Sequence, residues 1–160
     1  MTDTVALPVR PTSYSDLQEL VGTELGPTEW HDVIQQGVDA FAEVTGDDQW
    51  IHVDPERAAA SPLGTTIAHG LYSLSLGPAF SYRLLSFDGF AHSLNYGYDK
   101  VRFPAPVPVG SRVRMRLTVV AVEQVSGGIQ VRSSQAFECE GGDKPVVIAE
   151  SLARVVEKGA

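Results

Sequence analysis

The chain is poor in sulfur and offers little for disulfide or zinc chemistry, since Cys139 is its only cysteine. One cysteine cannot close an internal disulfide, so stability has to come from a packed core, and a reducing compartment suits the chain. No Cys or His pair stands at zinc spacing, and His31 and His92 have no partner at a recognisable metal interval. No apolar run is long enough to span a bilayer, and Met1 to Pro11 lacks the charged start and apolar stretch of a secretory signal. These absences read as a cytoplasmic protein without membrane insertion. Basic residues are scarce as well: 12 Lys and Arg stand against 20 Asp and Glu, a formal charge of -8. A surface of that sign repels nucleic acid and anionic lipid, so neither is an expected partner. An anionic ligand has to be met by local basic residues. Internal repeats, linkers and low-complexity tracts are also missing.

What is present suits one globular domain, with 160 residues and 43% hydrophobic content. Residues 1–13, with Pro8 and Pro11 and little periodicity, read as an N-terminal arm, and 14–160 as the domain. Ser15 is the expected cap of a short helix that closes near Gly22. Val33, Ile34, Val38, Phe41 and Ala42 recur at helical spacing between Asp32 and Val44, and Gly46 supplies the stop. Asp54-Pro55-Glu56-Arg57 is a capped start with proline at the first helical position, ended by Pro62-Leu63-Gly64. Asp47 to His52 is then an irregular crossing between two helices. From His69 to about Leu85, Leu71, Leu74, Leu76, Ala79, Phe80, Leu84 and Leu85 cover nearly every face, so this helix is expected to be enclosed.

The C-terminal half alternates apolar and polar residues instead. Arg112 to Val122, Ile129 to Glu140 and Val146 to Val156 read as strands of a meander, separated by Gly127-Gly128 and Gly141-Gly142-Asp143. His92 to Phe103 adds another strand, and Pro104, Pro106, Pro108 and Gly110 stiffen the loop that follows. A buried helix and a run of antiparallel strands make an α+β class, because each strand needs an apolar partner for one face.

Chemistry concentrates in Thr45-Gly46-Asp47-Asp48-Gln49-Trp50-Ile51-His52 and in His69-Gly70 at the head of the apolar helix. A carboxylate, an imidazole and a helix N-terminus can take a proton, orient a water and hold charge on a carbonyl oxygen. Taken singly, Asp47 reads as a turn residue and His52 as an exposed one; the combination with Gly46 and His69-Gly70 favours catalysis. His69 is either a pocket residue or, the favoured reading, a helix-start residue hydrogen-bonded into the core. Asn95 and Tyr96 interrupt a strand and either line a pocket or pack at a sheet edge. Arg102, Arg112, Arg114 and Arg116 read mainly as the solvated face of strands. Tyr72-Ser73-Leu74 lacks the flanking glycines of a nucleophile elbow.

These residues resemble the hydratase motif of the MaoC-like, (R)-specific enoyl-CoA hydratases, in which a Gly-Asp pair precedes a histidine at this spacing and a His-Gly pair opens the central helix. The likeness is close from Phe41 to about Leu76 and looser through Val101-Arg102-Phe103-Pro104-Ala105-Pro106-Val107-Pro108-Val109-Gly110. It implies a single hot dog domain, an antiparallel sheet wrapped around a long central helix, and a homodimer. It further implies Asp47 and His52 as the catalytic pair, Gly70 as the backbone donor to the thioester oxygen, and Trp50, His69 and Asn95 as pocket candidates. Gln49-Trp50 stands where Asn-Pro is usual, a variant of the branch that includes mycobacterial-type hydratases and nodulation protein N.

The activity implied is reversible hydration of trans-2-enoyl thioesters to (R)-3-hydroxyacyl thioesters, with no metal and no other cofactor. The substrate is carried on coenzyme A. Alternatives are a 3-hydroxyacyl dehydratase fed by acyl carrier protein, a thioesterase on the same fold, and a non-catalytic acyl-thioester binder in which Trp50 blocks the water position.

Overall fold

The chain lays down most of its helices first and most of its sheet last. A computed structural model describes residues 7–159. In order, the elements are α1 (Tyr14–Glu19), β1 (Glu24–Leu25), β2 (His31–Asp32), α2 (Gln35–Thr45), α3 (Trp50–Val53), α4 (Pro55–Ala59) and β3 (Ile67–Ala68). Then follow α5 (Gly70–Ser75), α6 (Gly77–Leu84), β4 (His92–Arg102), β5 (Val107–Pro108), β6 (Arg112–Val125), β7 (Gly128–Cys139) and β8 (Val147–Val156). The main sheet has the order β1-β6-β7-β8-β4, all antiparallel, with β2 also on β6. A second, two-stranded ladder pairs β3 with β5. Among the described residues, no helix is long and apolar enough to cross a membrane.

The expected meander forms because alternation puts Val113, Met115, Leu117 and Val119 of β6 on the buried face of the sheet, where α5 and α6 lie. The Phe80 and Phe137 rings, both buried, meet at 5.7 Å and anchor α6 on β7. Register shifts between Val119 and Ala121, Asn95 and Gly97, and Tyr98 and Lys100 add the local bends that such irregularities impose.

Several expectations are corrected in detail. The first helix is capped by Ser13, not Ser15: Asp16 N donates to Ser13 Oγ at 3.2 Å while the Asp16 carboxylate accepts from Ser13 N at 3.1 Å. The cap falls where a carboxylate stands three residues on to close this reciprocal box. The second helix starts at Gln35 because the backbone of Val33 is engaged by Ser111 O and Gly110 N. Of the expected N-terminal arm, residues 1–6 lie outside the described residues. Its remainder is pinned, with Val9 N donating to Leu84 O and Ser86 N to Val9 O, each at 2.9 Å.

The central helix is not one rod. It divides at Leu76 into α5 and α6, because Pro78 has no N–H to give to the carbonyl a turn earlier and its ring crowds that turn. Nor is it enclosed on all sides within one chain. Ser73, Leu74, Gly77, Phe80 and Leu84 are buried, whereas Leu71 and Tyr82 are 58% and 59% exposed.

The arginines of β6 form an outer face of cross-strand ion pairs, as their alternation suggests. Arg114 Nε and Arg116 Nε both donate to Glu138, at 2.7 and 2.8 Å, and Arg112 pairs with Glu140. Burial alone would raise the Glu138 carboxyl, but the hydrogen bonds from Arg116 and Arg114 outweigh it and hold the group below its ordinary 4.5. A carboxyl depressed in the folded state contributes stability above its unfolded value and loses that contribution as pH falls through the folded one. Glu138→Gln should therefore lower the denaturant midpoint near neutral pH and flatten its decline in acid below about pH 4.5. An acid limb identical to that of the parent chain would exclude this role for Glu138.

Candidate active site

The helix stop at Gly46 aims the first site residue. Gly46 adopts φ 78°, and its N–H closes on Ala42 O at 2.8 Å, so the chain turns sharply out of α2 and delivers Asp47 with an exposed side chain. The following crossing is more ordered than expected. Trp50–Val53 makes a single helical turn, with Asp54 N returning to Trp50 O at 3.0 Å, and Asp54 then caps α4 through Arg57 N.

That turn drives His52 inward, where it is 7% exposed. Its Nδ1–H donates to Ile67 O at 2.6 Å, which leaves Nε2 with the free lone pair. Gln35 fixes the same segment: its Nε2 donates to His52 O at 2.7 Å, and its carbonyl accepts from the buried Thr66 hydroxyl. One glutamine at the start of α2 thus ties α3 to the approach to β3.

His69, the N-cap of α5, is also buried. Its Nε2–H donates to the Asp47 carbonyl at 2.8 Å, and its ring stacks on His52 with centroids 3.8 Å apart. The favoured core reading of His69 is therefore joined to a site role, since it holds both Asp47 and His52 in place. Asp47, His52 and His69 each present one side-chain N or O atom within 4.8 Å of the others. A metal ion sits in the plane of each imidazole it binds. Two rings inclined by only 26° run almost side by side and give one ion poor access to both lone pairs. The arrangement suits a hydrogen-bonded water better than a chelated metal.

Gly70 opens α5 beside His69. Its N–H belongs to the first turn of the helix, where backbone donors have no partner within the helix and carry partial positive charge. The reason for glycine here is steric. A Cβ at this position would lie 2.7 Å from the Phe103 ring. Phe103 closes over Gly70, a contact visible beforehand only as an aromatic residue in the Val101 to Pro104 segment.

The other two pocket candidates take different surroundings. Trp50 is half-buried under the Arg57 guanidinium, 4.4 Å from its ring centroid. Asn95 is exposed on β4 and lines a cavity beneath α6, apart from the two histidines. Near α5, the Tyr72 hydroxyl reaches His31 Nε2 at 3.5 Å, and burial pushes its phenol up. Sequence reasoning missed Gln35, Thr66 and the Ile67 carbonyl, because partners this far apart in the chain, joined through backbone carbonyls or one amide side chain, leave no local spacing signature.

The Gly70 contact makes a prediction. Gly70→Ala should cost about 1–3 kcal/mol through overpacking. Combined with Phe103→Ala, the loss should be less than the sum of the two single costs, as urea unfolding of all four chains in the cycle would show. Simple additivity would mean that the Phe103 ring does not impose the glycine.

The MaoC like domain matches residues 16–138. The 3-hydroxyacyl-thioester dehydratase Z of Mycobacterium tuberculosis is 49% identical over 145 residues, which cover 90% of this chain and 96% of that protein. Nodulation protein N of Rhizobium leguminosarum bv. viciae is 41% identical over 140 residues, covering 86% and 87%. Among solved structures, unliganded R-hydratase PhaJ1 from Pseudomonas aeruginosa superimposes with a TM-score of 0.73 at 26% identity, over 92% of this chain and 87% of that one. With well over half its length matched, the chain belongs to the MaoC-like family and is a hydro-lyase of hot dog fold.

Proposed function

We propose that the protein adds water reversibly to trans-2-enoyl-CoA thioesters and forms (R)-3-hydroxyacyl-CoA. The reading rests chiefly on one observation: Asp47, His52 and His69 converge within 4.8 Å beside the opening turn of α5. Asp47, with an exposed carboxylate, takes a proton from water. His52 Nε2 accepts the other O–H of that water, because Nδ1 is committed to Ile67 O. The water oxygen bonds to the β-carbon, and the π electrons move onto the thioester oxygen, which the Gly70 N–H stabilises. The enolate then takes the proton from Asp47 at the α-carbon. The sequence balances with no net oxidation, so no redox partner is required, and run backwards it is dehydration. The R-hydratase likeness supports the stereochemistry.

Assembly completes the proposal. In the single chain, β4 is an uncovered sheet edge on which Leu94 and Tyr96 are 60% and 62% exposed. Near the site, Leu71 and Phe103 are also open, at 58% and 43%. A second copy of the chain, related by two-fold symmetry, would cover such an edge and enclose the sites. The single cysteine and acidic balance suit a cytoplasmic home for this dimer.

Asp47→Asn and His52→Ala should each fold yet hydrate crotonyl-CoA about a hundredfold more slowly or worse, followed by loss of enoyl absorbance. Chiral analysis of the parent enzyme's product should give the (R) alcohol. Near-normal turnover by either folded variant, or a mainly (S) product, would overturn the mechanism. Sedimentation should give a homodimer at assay concentration, and an active monomer would remove the shared enclosure.

A further inference from the structure

The inner face of β7 has an unexpected middle. Ile129, Val131 and Phe137 are apolar and buried, but Ser133 and Gln135 occupy the same face between them and are only 5% and 3% exposed. Burying a carboxamide is costly unless its hydrogen bonds are made. Gln135 makes one, from Nε2 to Ser81 Oγ at 3.2 Å on α6. Its Oε1 has no partner.

Among the described residues, the buried side-chain N and O atoms without a hydrogen bond are His69 Nδ1, Ser73 Oγ and Gln135 Oε1. His69 and Ser73 stand one turn apart at the start of α5, and Gly77 and Ser81 one turn apart on α6. From the position a Cβ on Gly77 would take, Gln135 Oε1 lies 3.4 Å away and Tyr98 Oη 3.7 Å away. Gln135, Ser81, Ser133, Ser151 and Tyr98 meet apolar neighbours such as Leu152 in the wall of the cavity beneath α6.

We propose that this cavity receives the far end of the acyl group and selects chains carrying a hydroxyl there, a proposal that rests on the hydratase reading above. A hydroxyl fits because it donates to the unpartnered Gln135 oxygen while accepting from a serine or tyrosine hydroxyl. A hydrocarbon end would leave Gln135 Oε1 buried and unpaired. Sites built to bond a substrate hydroxyl discriminate strongly against the analogue without it, for this reason.

The test compares trans-2-hexenoyl-, octenoyl- and decenoyl-CoA with their ω-hydroxy counterparts, and uses crotonyl-CoA as a substrate too short to reach Gln135. At the best-fitting length, the parent enzyme should favour the hydroxylated thioester by at least about tenfold in kcat/KM. Gln135→Leu should erase that ratio. A parent ratio of one or less at every length, or an unchanged ratio in Gln135→Leu, would overturn the proposal while crotonyl-CoA hydration leaves the hydratase reading standing. Should Gln135→Leu fail to fold, the parent ratios alone decide. Should crotonyl-CoA not be hydrated at all, the hydratase reading fails by itself. Calorimetry with saturated acyl-CoA and ω-hydroxyacyl-CoA then decides the cavity's preference, with equal affinities counting against it.

Discussion

Everything at the site hangs on two imidazoles stacked 3.8 Å apart, each of which gives one N–H to a backbone carbonyl. Those carbonyls belong to Ile67 and Asp47, so the stack joins the crossing after α2 to the strand that leads into α5. The bonds fix both tautomers and both ring planes. A loop aspartate is thereby held by its own backbone while its side chain stays exposed. This is how a site carried on irregular segments acquires the rigidity of the elements around it.

Much of this was legible in the sequence because the signals were periodic or steric. Alternation located β6, β7 and β8, and Gly46 marked the end of α2 by its freedom to adopt positive φ. Asp54-Pro55 announced α4. The motif from Gly46-Asp47 to His52 and His69-Gly70, read through its family resemblance, contains the three side chains that converge. Less legible were features decided by partners distant in sequence. Ser13 takes the cap from Ser15 through the Asp16 carboxylate, and the backbone of Val33 is drawn into contact with the loop before β6. The break at Leu76 was foreshadowed by Pro78, but the apolar pattern runs through it unaltered, so hydrophobicity alone reads one helix.

Asn95 and Gln135 illustrate two limits of reading by type. Asn95 drew attention as a polar residue in a strand, and it lines the rim of the cavity beneath α6 rather than the histidine cluster. Gln135 sits unremarked inside an alternating run, and only its phase with Val131 and Phe137 assigns it to the buried face. Parity along a strand, more than residue type, tells an expensive polar group from an ordinary one.

The kink at Leu76 gives the central helix two jobs that need not evolve together. The N-terminal piece carries His69 and Gly70, and the C-terminal piece carries Ser81 over the β7 cavity. Because the proline already interrupts the hydrogen-bond ladder, a side-chain change in the second piece is poorly transmitted as rotation of the first. Changes in α6 can therefore reshape the β7 cavity while the His69–Gly70 turn at the head of α5 is inherited intact.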